Sequence, residues 1–119
     1  MVEAETAGTP LLHITGQIEL PYLDKNRGYI HEARDQLGML RAVSKAAYRV
    51  WSKETLAGTL REAIRVARTA PAGPVSVEIP IDIQEGEMAW PADLEPLPVS
   101  APEPGVDALD EPRQRARHP

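Results

Sequence analysis

The chain has no cysteine and no phenylalanine among its 119 residues. Without a thiol there is no disulfide framework, no thiolate nucleophile and no thiolate metal site. Aromatic side chains are confined to two tryptophans and three tyrosines, so the core must be largely aliphatic. No apolar run approaches the roughly 20 residues that a membrane-spanning helix requires. The opening MVEAETAGTP is too acidic and polar for a signal peptide, so a soluble cytoplasmic protein is expected. A net charge of -5 gives no field that favours nucleic acid or an anionic membrane, and neither is expected as a partner. Motifs of self-contained chemistry are missing as well: there is no P-loop, G-x-G-x-x-G, H-E-x-x-H or G-x-S-x-G, and three scattered histidines do not make a metal site. No internal repeat is visible.

What is present is organised around Ser52 to Asp82. Leu56, Leu60, Ala63, Ile64 and Ala67 recur at the spacing that puts one apolar stripe on a helix, with Arg61, Glu62, Arg65 and Arg68 on the outer face. Ser52 is placed to cap that helix. Pro71, Gly73 and Pro74 require it to stop by Ala70. Val75, Val77 and Ile79 then alternate with Ser76 and Glu78 until Pro80, which predicts a strand.

Upstream, Val2 to Ala7 is short for a helix, yet Gly8 and Pro10 resemble the end of one. The run Pro10-Leu-Leu-His-Ile-Thr-Gly16 predicts a strand buried on both faces of a parallel sheet. Gly16 and Gln17 would stand at its carboxyl end, where open α/β sheets bind ligands, unless Gly16 merely permits a turn. His13 reads as a hydrogen-bonded core histidine ahead of a catalytic one. Ile18 to Ile30 is a loop long enough to have a use. His31 to Ala42 suggests a short helix through Leu37, Met39 and Leu40, and Lys45 to Trp51 is either a strand or a helix end. His31, Glu32 and Asp35 form the one cluster of titratable groups ahead of Lys45.

Two parallel-type strands joined through a helix make a right-handed βαβ unit. The fold class is therefore α/β, with a partial parallel sheet that needs further neighbours to cover its faces. Residues 1–84 are expected to form this partial domain. Residues 85–119, rich in proline and ending in the basic RQRARHP, are expected to form an extended linker and a disordered tail.

Three blocks together resemble thiamine-diphosphate-dependent enzymes. They are Pro10-Leu-Leu-His-Ile-Thr-Gly-Gln17, then Asp35-Gln-Leu-Gly-Met-Leu-Arg-Ala-Val-Ser-Lys45 with Tyr48-Arg-Val50, and Gly73-Pro-Val-Ser-Val-Glu-Ile-Pro-Ile-Asp-Ile83. Their order is that of the back half of the N-terminal, pyrimidine-binding domain of acetolactate synthase, benzaldehyde lyase and oxalyl-CoA decarboxylase. The resemblance implies a 2-keto acid carboligase or decarboxylase that uses thiamine diphosphate and Mg2+, with FAD in some relatives, and that assembles as a homodimer or tetramer. It implies a catalytic glutamate that bonds the aminopyrimidine ring, and that residue would precede Met1. It implies a Gly-Asp-Gly signature for Mg2+ and diphosphate on a third domain, whereas no glycine here is followed by aspartate. Neither half of the cofactor grip is therefore expected in this chain, which alone should be inactive.

The residues carried over by the resemblance are secondary ones. Gly16 and Gln17 match a Gly-Gln step at a strand end. Ile30-His31-Glu32 occupies the place of a Phe-Gln-Glu stretch, so His31 or Glu32 would line the site. Lys45 matches a recurrent lysine near the substrate channel, with capping of a helix as the alternative. A competing reading is a non-catalytic interaction module that keeps the surface of the same domain.

Overall fold

A computed structural model describes residues 1–92 and Glu95. The expectations for the Pro-rich linker beyond Ala92 and for the basic tail lie outside the described residues. Along the chain run α1 (Val2–Thr6), β1 (Leu11–Gln17), a 3-10 turn (Leu20–Tyr22), α2 (Gln36–Ala42), β2 (Ala46–Arg49), α3 (Lys53–Arg68), β3 (Pro74–Pro80) and α4 (Ile81–Gln84). The architecture is α/β, as the two periodicities predict.

The strands form one parallel sheet in the order β1-β3-β2. Leu11 pairs with Pro74 and Gln17 with Pro80, while Ala46 pairs with Val75 and Arg49 with Glu78. This settles Lys45 to Trp51 in favour of a strand, because its Ala-Ala-Tyr-Arg segment finds a pairing edge on β3. One face of the sheet carries Val75 and Val77, which with Val50, Ala63, Ala67 and Ile83 make the buried core. Leu56, Leu60 and Val66 of α3 pack against that core. Ile64 is half-buried and outside this cluster, which takes Val66 in addition to the expected leucines. Ser52 stands at the N-cap of α3, and its backbone N–H donates to the Thr55 hydroxyl at 3.2 Å.

Two expectations are corrected. The strand expected to be buried on both faces is β3, at the centre of the sheet, not β1. β1 lies at an edge and leaves Leu11 and Ile14 exposed, at 37% and 52%. Continuous apolar character alone does not separate a central strand from an edge strand. The helix expected over His31 to Ala42 begins only at Gln36. His31 has a φ of 65°, a left-handed conformation that a right-handed helix cannot contain. Asp35 starts the helix by accepting from the Gly38 N–H at 2.8 Å. The short N-terminal segment does close as α1, with Gly8 left-handed at φ 61° just beyond it.

The second face of the sheet is polar. Ser76 is fully buried and bonds both His13 Nδ1, at 3.1 Å, and the Ser44 hydroxyl, at 2.8 Å. His13 is thus the hydrogen-bonded, half-buried histidine that its position suggests. Farther along the same face comes Glu78, at the carboxyl end of the sheet, where the chain turns into the loop and α2.

Candidate functional site

Parallel strands end together, and here the ends gather a buried polar cluster. Glu78 has no exposed surface, so its carboxylate needs partners. Arg49, next to it on β2, supplies a guanidinium ion pair through Nε. The same guanidinium reaches Asp24 in the loop through Nη1 at 2.7 Å, and it lies 5.2 Å from the centre of the Trp51 ring. Burial works against the charged form of Arg49, but the bonds to Asp24 and Glu78 outweigh it and hold the guanidinium above its ordinary pKa. Two amides complete the shell: Gln17 Nε2 donates to Glu78 Oε2 at 3.3 Å, and Gln36 Nε2 donates to the same oxygen at 3.1 Å. Gln17 Oε1 in turn accepts from the Ile18 N–H at 2.8 Å.

Above this cluster lies a cleft of about 360 Å³. Its wall includes Gly16 and Gln17 from the end of β1, His31 and Ile30 from the loop, Gln36 from α2 and Ile81 from α4. The loop reaches its shape through left-handed residues at Asp24, Asn26, Gly28 and His31. Tyr22 and Tyr29 stack at 4.4 Å between ring centres and brace it. The Tyr29 hydroxyl donates to Glu19 at 3.1 Å, and this bond above all holds the phenol above its ordinary pKa.

Gly16, Gln17 and His31 are therefore brought together at one cleft. Glu32 is adjacent but turned away into the loop. Its Oε2 accepts from the Arg27 N–H at 2.9 Å and the Tyr29 N–H at 3.0 Å. Those backbone donors, Tyr29 first, hold its carboxyl below the usual carboxylate range. Glu32 lines a separate shallow depression with Asn26, Gly28 and Arg34. Lys45 lies at the other end of the sheet, where its N–H meets the carbonyl of Pro74, the first residue of β3. Its ammonium donates to the Val66 and Thr69 carbonyls at 2.7 and 2.6 Å and caps the end of α3.

Gln36, Arg49 and Glu78 belong to the site although their place in the three sequence blocks assigned them no role there. The signal available was a pair of opposite charges, each set among aliphatic residues of a parallel-type strand. Such a charge is tolerated inside only with a partner.

No family model matches the chain. Among curated proteins it is 39% identical over 80 residues to 2-hydroxyacyl-CoA lyase 2 of Caenorhabditis elegans, covering 67% of this chain and 12% of that protein. It is 33% identical over 103 residues to glyoxylate carboligase of Escherichia coli, covering 86% of this chain and 17% of the relative. It is 28% identical over 93 residues to a probable acetolactate synthase large subunit of Methanocaldococcus jannaschii, covering 78% of this chain and 15% of the relative. The chain thus spans under a fifth of the length of each of these three proteins. With 39% identity over two thirds of its length to one of these proteins and 33% over 86% to another, the chain belongs to the acetolactate synthase-like family of thiamine-diphosphate-dependent enzymes.

Proposed function

We propose that the chain is a piece of the pyrimidine-binding domain of a thiamine-diphosphate-dependent 2-keto acid carboligase or decarboxylase, acting within a homo-oligomer of the complete enzyme. The observation that carries this reading is the cleft at the carboxyl ends of β1 and β3. Its apolar wall of Ile18, Ile30 and Ile81, edged by the Gln36 amide and the His31 imidazole, fits one face of a flat heteroaromatic ring. The same residues do not fit a magnesium diphosphate. No lysine or arginine is among the lining residues, and no group of three His, Asp or Glu side chains converges among the described residues. The diphosphate and Mg2+ are accordingly assigned to another part of the complete enzyme, as is the catalytic glutamate.

When bound, thiamine diphosphate supplies a nucleophilic carbon for forming or breaking a bond at a keto carbon. The share of this chain is positional. Gly16, His31, Gln36 and Ile81 would contact the ring, and the Glu78 cluster beneath them keeps that floor fixed. Residues 85–119 would lead on to the next domain. Among the described residues no helix is long and apolar enough to cross a membrane.

Calorimetric titration of the purified chain with thiamine diphosphate and Mg2+, followed by a pyruvate-consumption assay, tests the reading. One face of a site forms few contacts, and association itself costs at least ~4 kcal/mol, so binding weaker than about 100 μM and no turnover are expected. Micromolar affinity, or pyruvate consumption above the protein-free control, would overturn the assignment of the diphosphate grip to another part of the enzyme.

A further inference from the structure

Gln36 brings a primary amide to the edge of the cleft, and its two branches are unequally engaged. Nε2 donates to the Gly16 carbonyl at 2.9 Å and to Glu78 Oε2 at 3.1 Å. Oε1 accepts from no group among the described residues, and it is not sealed from solvent. The orientation follows from chemistry: a carbonyl and a carboxylate only accept, so the NH2 must face them. Flipping the amide would set one oxygen 3.1 Å from another in place of a hydrogen bond. Glu78 cannot turn away to relieve this, because Arg49 holds its Oε1 and Gln17 donates to its Oε2 at 3.3 Å.

We propose that Gln36 is a ligand-reading residue whose Oε1 accepts a hydrogen bond from a neutral, planar ligand carrying an N–H or O–H donor. Glu78 and Arg49 are its positioning residues. Part of the wall has the same polarity, while the His31 imidazole can either accept or donate. Glu19 adds another group that only accepts, the isoleucines offer apolar surface, and among the described residues no lysine or arginine lines the space. A ligand carboxylate placed beside Gln36 Oε1 would meet another acceptor, whereas an amino or hydroxyl group on a ring would be satisfied there. This inference rests on reading the cleft as a ligand site. It goes beyond that reading by assigning the direction of the hydrogen bond and the residues that fix it.

The test uses the full chain and two small rings of nearly equal size, aniline with a donor and toluene without one. Each is titrated by NMR into the wild type and into Gln36→Met, which keeps the side-chain length but removes the acceptor. The preference for aniline over toluene, taken as a ratio of affinities, is expected to fall about two- to tenfold in the variant while toluene affinity stays within about twofold. An unchanged ratio, or no binding of either ring to the wild type, overturns the proposal. A second measurement needs no variant: the Gln36 side-chain amide protons should exchange with solvent more slowly than those of free glutamine. Exchange at the free rate would also overturn the fixed orientation. Donor preference together with micromolar thiamine diphosphate affinity or pyruvate turnover would overturn the functional assignment alone. Absence of donor preference together with thiamine diphosphate binding weaker than about 100 μM would sink this inference alone.

Discussion

Replacing Arg49 with methionine would keep most of the volume of the side-chain stem and strip the Glu78 carboxylate of its ion pair. The Glu78 side chain is 0% exposed and that of Arg49 5%, so water cannot take the place of the guanidinium. Removing one partner of a buried pair typically costs about 3 to 5 kcal/mol. The amides of Gln17 and Gln36 still donate to one carboxylate oxygen, which favours the lower end, about 3 kcal/mol. With a urea m-value of about 1.5 kcal/mol/M, that loss lowers the unfolding midpoint by about 2 M, readable by circular dichroism. The double variant Arg49→Met with Glu78→Leu removes both charges. It leaves the buried amide of Gln17 without its acceptor, for a cost of about 1 to 3 kcal/mol, and so should be no worse than the single change. A midpoint shift under about 0.5 M for Arg49→Met, or a double variant that loses the sum of both single losses, would refute the claim that the pair is coupled and desolvated.

Lys45→Met should cost about 1 kcal/mol by uncapping the end of α3 and should speed hydrogen exchange at the Arg68 and Thr69 amides, while ligand titrations at the cleft stay unchanged. A changed cleft affinity would instead support a role for Lys45 near the substrate channel. Glu32 sets a pH dependence for its loop. Its folded pKa lies below the ordinary value, so its contribution is complete above the ordinary carboxylate range and is lost as pH falls through the lowered folded value. The Arg27 and Tyr29 amide signals should shift with that acid titration, and flat signals down to acid unfolding would contradict the bonds to Glu32.

The helix–strand unit of α3 and β3 was legible because two incompatible periods, 3.6 and 2, abut across Pro71, Gly73 and Pro74. The register of β1 on β3 follows from it, since Leu12 and Ile14 align with Val75 and Val77 on one face. Layer depth was not legible. Alternating Val-Ser-Val-Glu-Ile reads as half-buried, yet β3 lies between β1 and β2 and its polar face is buried too, where Ser44 and Gln36 bond Ser76 and Glu78. Of the candidate site, the strand-end position of Gly16 and Gln17 could be read from the strand alone. The contact of Gln36 with Glu78 could not, because it joins residues 42 apart and because α2 follows a loop bent by four left-handed residues. The separation of Lys45 from the cleft was equally hidden. Which end of a short strand a residue occupies is decided by pairing, and β2 had no predicted partner.

The strand order β1-β3-β2 also constrains when this structure can form. β1 and β2 never touch as a ladder; each pairs only with β3, the last strand along the described chain. His13 meets Ser76 across a separation of 63 residues, and Arg49 meets Glu78 across 29. A polypeptide emerging from a ribosome therefore holds two strands that have no mutual template until the segment around Pro74 to Pro80 is free. Until then α3 has no apolar sheet face to settle on, and the Arg49 guanidinium has no buried carboxylate to meet. Assembly is a late, long-range event whose barrier is dominated by closing the largest loop, and helix formation in α3 can precede it without committing the chain. Stalling translation before Pro74 should leave a protease-sensitive chain, and releasing the next few residues should confer most of the protection at once.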